Sequence, residues 1–149
     1  IQTAMLAEKA KCGDDLICSS LLHDYGHFIL ENPDDLVKLN VDGQHENIGY
    51  EYLKSFFKKE ILEPIKNHVL AKRYLANDKK YFDLLSEASK TSLKLQGGAL
   101  NPEECNKFEA QEYFKPSILL RKFDEAAKRT DLKMKSIHDY KKLLTSKLI

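Results

Sequence analysis

No stretch of this sequence alternates apolar and polar residues with a period of two over the length of a strand. Gly, Pro, Asn and Asp interrupt it at short intervals instead. A chain cut in this way has little from which to build a sheet and folds as helices joined by loops. Residues 1–11 read as the end of a helix stopped near Gly13. Asp14 or Asp15 caps a second helix running to about Asp24, with Leu16, Ile17, Leu21 and Leu22 as its apolar face. Pro33, Gly43 and several Asp and Asn make 31–44 a loop. A third helix covers about 45–58. Pro64 suits the first turn of a fourth, which reaches about Ala76. A fifth runs over 79–95 and ends at Gly97-Gly98. Asn101-Pro102 is a cap-and-start signal for a short helix, Pro116 opens another to about Lys128, and a last one spans about 136–147. The expected architecture is an all-α bundle with loops at one end.

The chain has 149 residues, the length of one domain with a sizeable core. Its 24 basic and 23 acidic residues leave a net charge of +1, so no global field points to nucleic acid or to an anionic membrane. No apolar run approaches the roughly 18 residues of a membrane span. Cys12, Cys18 and Cys105, odd in number and without CxxC spacing, fit neither a disulfide framework nor a zinc ribbon. They imply a reducing compartment, most simply the cytoplasm, with Cys18 in the core. The tail 132–149 is amphipathic and basic, and is expected to pack on the bundle. The chain opens at Ile1 within a helical pattern, from which upstream residues are expected.

Four of the five histidines look placed. His23 and Asp24 are adjacent in Leu-Leu-His-Asp-Tyr-Gly-His, His27 follows one turn later, His45 opens the third helix and His68 lies within the fourth. Adjacent imidazole and carboxylate can bind one metal ion, and the second carboxylate oxygen can reach another. Asp124 is a candidate distal acid. Mixed imidazole and carboxylate ligation suits iron, manganese, zinc or nickel. Singly, a buried histidine is more often a hydrogen-bonded core residue. His27, four residues from His23, reads as substrate-facing rather than as a ligand, and His138 as surface.

The segments SSLLHDYGHFI, GQHENIGYEYLKSFF, EPIKNHVLAKRYL, SLKLQGG and LLRKFDEAAK resemble the PhnZ-type HD-domain oxygenases, phosphonate degradation-associated proteins distantly similar to myo-inositol oxygenase. The resemblance runs from Ile1 to about Asp131, which sets an HD domain over 1–131 and leaves 132–149 as a C-terminal helix packed on or extending it. It implies an HD-type helical bundle, a mixed-valence Fe(II)/Fe(III) pair, and O2-dependent cleavage of the C–P bond of a 1-hydroxyalkylphosphonate to a carboxylic acid and phosphate. It makes His23, Asp24, His45, His68 and Asp124 metal ligands, with Asp24 as the bridge. Ile1-Gln2-Thr3-Ala4 matches the tail of the family's first ligand motif, so a sixth ligand, a histidine, is expected two residues before Ile1, together with a Tyr/Glu segment that closes the site.

On the substrate side the resemblance places His27 and Lys72 beside the phosphonate in catalytic and binding roles, with Arg121 and Ser89 as further binding residues. Lys72 is four residues from His68 and Arg121 three from Asp124, so each shares a face with a ligand. By residue type alone, Lys72 would be a solvated lysine, Ser89 a helix-surface serine, and Arg121 the partner of a nearby acid. A metal-dependent phosphohydrolase, needing no oxygen, is the alternative activity. A non-catalytic domain with an eroded site is the third reading.

Overall fold

The computed structural model describes residues 1–30, 43–128, 131 and 133–149. Ten α-helices follow one another among these residues. They are α1 Gln2–Lys9, α2 Asp14–Leu22, α3 Gly26–Ile29, α4 His45–Leu53, α5 Lys59–Leu75, α6 Lys79–Leu84, α7 Glu87–Leu95, α8 Pro102–Glu109, α9 Phe114–Ala126 and α10 Lys141–Ser146. A 3-10 turn over Ile137–Tyr140 leads into α10. Among the described residues the one β element is a single antiparallel bridge between Phe57 and Leu148. The fold is all-α, as the lack of alternation predicts. No described helix is long and apolar enough to cross a membrane. Most of the expected loop 31–44 lies outside the described residues.

The longest helix, α5, is central and packs against α2, α4 and α9. It starts at Lys59, so Pro64 lies within it rather than in its first turn. The apolar positions explain this: Ile61, Leu62 and Ile65 line one face and are buried with Cys18, Leu53 and Phe57. Burying that face outweighs the one backbone hydrogen bond that a proline forfeits near a helix start. The expected third helix ends early, at Leu53, and the expected fifth is two helices. Leu85 is extended, and Ser86 caps α7 by accepting from the Ser89 N–H at 3.2 Å. Asn101 and Glu104 form a reciprocal capping box at the start of α8. Gly97 and Gly98 at φ of +95° and +74° end α7, and Arg73 of α5 donates to the Gly98 carbonyl at 2.9 Å, tying this turn to the central helix.

A second cluster joins Ala4, Ala7 and Ile17 to Tyr140, which is 1% exposed and donates its hydroxyl to Glu8 at 2.8 Å. Leu143 touches both this cluster and the one around α5. Tyr140 thus anchors the C-terminal segment to the core, while α10 beyond it has no fully buried residue. Tyr140→Ala is expected to destabilise the chain by about 3–5 kcal/mol, as loss of a buried aromatic does, measured by urea unfolding. Independence of that segment would instead leave the transition unmoved.

Candidate metal centre and anion pocket

The site stands where α2, α4, α5 and α9 meet. The end of α2 delivers His23 and Asp24, α4 starts at His45, α5 carries His68, and α9 carries Asp124. A close backbone contact sets the register. A Cβ on Gly26 would lie 1.9 Å from the His45 carbonyl oxygen, and one on Gly49 would lie 3.2 Å from the Gly26 nitrogen. Only glycine at position 26 lets α3 and α4 approach this far, and the approach stacks the His27 ring on His45 with centroids 3.9 Å apart.

Asp24 is the hub. Its Oδ2 is 3.2 Å from His23 Nε2, while its Oδ1 is 3.7 Å from His45 Nε2 and 3.9 Å from His68 Nε2. Asp124 Oδ1 is 3.4 Å from His23 Nε2. Two groups of potential metal ligands result, His23–Asp24–Asp124 and Asp24–His45–His68, and Asp24 belongs to both. All five residues expected as ligands come together. His138 is exposed and stands apart.

The histidines are oriented from behind. His23 Nδ1 faces the Ser20 carbonyl at 2.9 Å and His68 Nδ1 the Ile65 carbonyl at 2.6 Å. Each carbonyl accepts from Nδ1 and so turns Nε2 toward the site, the orientation in which an imidazole can give its Nε2 lone pair to a metal that takes the place of a proton there. His23 Nε2 is buried and makes no hydrogen bond. His45 Nε2 and His68 Nε2 face each other at 2.9 Å. With His68 offering a lone pair, a cation placed there could replace the proton between the rings and bind both.

The charges point the same way. Burial opposes a charge on His23, but Asp24 and Asp124 outweigh it and raise its pKa to about 10. His45 is lowered to about 2 by burial, then by His68 and His27, and His68 to about 4 by burial and His23. Burial works against the Asp24 carboxylate, yet His23, His68 and His45 hold it well below the usual range. Asp124, despite burial, is lowered to about 2 by His23 and Arg121. Two carboxylates thus draw positive charge to His23, beside the neutral imidazoles of His45 and His68, and the donor set fits metal ions in both groups.

A cavity of about 610 Å³ opens beside the centre, bounded by Asp24, His45, His68 and Asp124 on one side and by His27, Lys72, Ser89, Arg121 and Lys128 elsewhere. Lys72 is 4% exposed and donates to Ser92 Oγ at 2.9 Å, so it is not a solvated helix lysine. Ser89 is buried, while His27 is half-exposed with Nε2 4.0 Å from Asp24 Oδ1. Arg121 is buried and ion-paired to Asp124 and Glu125, with Nε donating to the Tyr81 hydroxyl at 2.8 Å. Four contributors escaped sequence reasoning: Tyr81, Ser92, Glu125 and Lys128. The three-residue spacing of Ser86, Ser89 and Ser92 was a usable signal for a hydroxyl face, and so was Lys128 four residues after Asp124.

The HD-domain sequence profile matches residues 1–126. The chain belongs to the HD-domain family. Among HD-domain relatives, the hydroxymethylphosphonate dioxygenase of Gimesia maris is 39% identical over 142 residues, 94% of this chain and 71% of the relative. The glycine-betaine-forming [1-hydroxy-2-(trimethylamino)ethyl]phosphonate dioxygenase of Leisingera caerulea is 43% identical over 133 residues, 89% of this chain and 68% of its own length. An uncharacterised protein of Acanthamoeba polyphaga mimivirus is 37% identical over 147 residues. For an HD-domain centre assembled through the Gly26 contact, Gly26→Ala must push α4 away and move His45. Its expected effects are about 1–3 kcal/mol of lost stability from overpacking and a fall in bound metal per chain, read by thermal melting and elemental analysis. Metal content equal to that of the unaltered chain would contradict this role for the contact.

Proposed function

We propose that this chain is an iron-dependent oxygenase that uses O2 to cleave the C–P bond of a 1-hydroxyalkylphosphonate, releasing phosphate and a carboxylic acid; 2-amino-1-hydroxyethylphosphonate would give glycine. The observation that carries the reading is the shared Asp24, with one oxygen toward each ligand group, beside a cavity walled by buried Lys72. The two relatives named as phosphonate dioxygenases support it over the phosphohydrolase alternative.

In this reading His23, Asp24 and Asp124 hold one ion, and Asp24, His45 and His68 the other. When bound, the Fe(II)/Fe(III) pair supplies the electrons and the O2 chemistry, which is the cofactor's share of the work. The chain's own residues bind and orient the substrate. Lys72 brings an ammonium to the phosphonate in a buried setting, where the charge is poorly screened and the hydrogen bond correspondingly strong. His27 Nε2, near Asp24 and open to the cavity, serves as hydrogen-bond partner to the substrate's oxygens and can hold a proton there. Ser89 offers a hydroxyl, and Arg121 adds positive charge while its nitrogens remain on Asp124, Glu125 and Tyr81. The small substrate and O2 are the partners, and a cytoplasmic setting agrees with the free thiols of Cys12, Cys18 and Cys105.

The test is phosphate release by the iron-loaded full-length chain from 2-amino-1-hydroxyethylphosphonate, its trimethylammonio analogue and hydroxymethylphosphonate, with and without oxygen. Release is expected only with both iron and oxygen. Lys72→Ala should lower kcat/KM roughly 10–100-fold, the loss of one charged hydrogen bond. Oxygen-independent hydrolysis of a phosphate ester, with no release from the phosphonates, would establish the phosphohydrolase instead.

A further inference from the structure

Two of the three imidazoles at the centre are held by backbone. His23 Nδ1 faces the Ser20 carbonyl at 2.9 Å and His68 Nδ1 the Ile65 carbonyl at 2.6 Å, in each case the carbonyl three residues back in the preceding helical turn. His45 has no such turn behind it. It is the first residue of α4, and Gln44 before it stands in the left-handed region at φ +48°. A side chain takes the carbonyl's place: Glu46 Oε2 lies 3.6 Å from His45 Nδ1. Glu46 is 8% exposed, and Oε2 itself is buried. Carboxylates are seldom buried this far without a polar task. The first turn of a helix favours their negative charge, so α4 can carry one here.

The protons account for the distance. With the Ile65 carbonyl accepting from His68 Nδ1, His68 Nε2 carries a lone pair, and the proton in the 2.9 Å contact between the two Nε2 atoms belongs to His45. A neutral His45 then has its other lone pair on Nδ1, turned toward the carboxylate. Two acceptors have no proton to share, and 3.6 Å lies beyond a hydrogen bond. In the other tautomer Nδ1 carries the proton, Glu46 Oε2 is its acceptor, and Nε2 has a lone pair toward Asp24 and His68. The His27 ring, stacked on His45 with centroids 3.9 Å apart, sets the plane of the imidazole but does not choose between the tautomers. A carboxylate at Nδ1 does.

We propose that Glu46 is a positioning residue for His45: its carboxylate accepts the Nδ1 proton in the tautomer that gives the Nε2 lone pair to a metal ion in the Asp24–His45–His68 group. The inference rests on the metal-centre reading and not on the substrate or on oxygen. The negative charge behind the ring also strengthens Nε2 as a donor, as a carboxylate behind a metal-binding histidine does.

The experiment is titration of the full-length chain, stripped of metal by a chelator, with Co(II), followed by visible absorption and calorimetry without substrate or oxygen. His45→Ala marks the step that depends on this group. Glu46→Gln, which keeps shape and an acceptor but not the charge, should weaken that same step about 10-fold and shift its cobalt absorption, and Glu46→Ala should weaken it by about 100-fold. The other step should keep its affinity, and the metal-free variants should melt with the unaltered protein. Glu46→Gln carries the test if Glu46→Ala does not fold. Cobalt affinity and absorption of Glu46→Gln equal to those of the unaltered protein would overturn the proposal, as would a His45→Ala titration that shows no lost step. Equal weakening of both steps with a lowered melt would make Glu46 structural and overturn it too. Phosphate release is not read here, so failure of this proposal and failure of the oxygenase reading are told apart.

Discussion

A single carboxylate is asked to face in two directions, and the rest of the structure follows from holding it there. Asp24 Oδ2 looks toward His23 and Asp124, and its Oδ1 toward His45 and His68. These partners come from α2, α4, α5 and α9, so none of them can be placed by local sequence. The constraint is met by packing α5 against the other three helices and by the Gly26–His45 approach, which removes a Cβ where two backbones must nearly touch. The imidazoles of His23, His45 and His68 are buried around an Asp24 side chain that is half open to the cavity, and gathering polar groups in this way costs free energy unless the charges are matched. A metal ion shared through Asp24 would match them. Without it, the carboxylates raise His23 to about 10, drawing a proton into the same position.

The same logic extends outward through Arg121. Pairing a buried guanidinium with Asp124 and Glu125 adds little net stability, because desolvation consumes much of the attraction. It does fix direction: with Oδ2 of Asp124 taken by Arg121, Oδ1 is left facing His23. Glu125 in turn reaches Lys128, so the ligand, the guanidinium and the cavity wall form one connected set. Charge at the metal centre and charge in the cavity are therefore coupled by contact.

The helical class was legible because periodicity is local, and so were the caps at Asn101 and the stop at Gly97-Gly98. Helix limits were less so. Pro64 suggested a start that the buried face of Ile61, Leu62 and Ile65 overrode, and a continuous polar–apolar pattern over 79–95 hid the break at Leu85 and Ser86. Of the site, the residues carrying distinctive chemistry could be read: adjacent His23 and Asp24, His45 and His68 on successive helices, and Asp124. Lys128 and Ser92 were not read, although their spacing from Asp124 and Ser89 hinted at a shared face, because lysine and serine are common on helix surfaces and spacing alone does not tell which ones cross to another helix. Arg121 was legible as a residue near the site, but its partners, Glu125 one turn on and Tyr81 on α6, were not.

The distribution of charge over the described elements shows how a helical bundle can assemble such a site. Negative groups enter from the end of α2 and from α9, and imidazoles from α2, α4 and α5. The ammonium groups lie four residues beyond candidate ligands: Lys72 after His68 on α5, and Lys128 after Asp124, two residues past the last residue of α9. Four residues along a helix is about 6 Å of rise. That offset sets Lys72 one turn from His68 and Lys128 one turn's distance from Asp124, so an ion held at one level would have ammonium groups at the next. α7 closes the second level with hydroxyls, which need no counter-charge of their own.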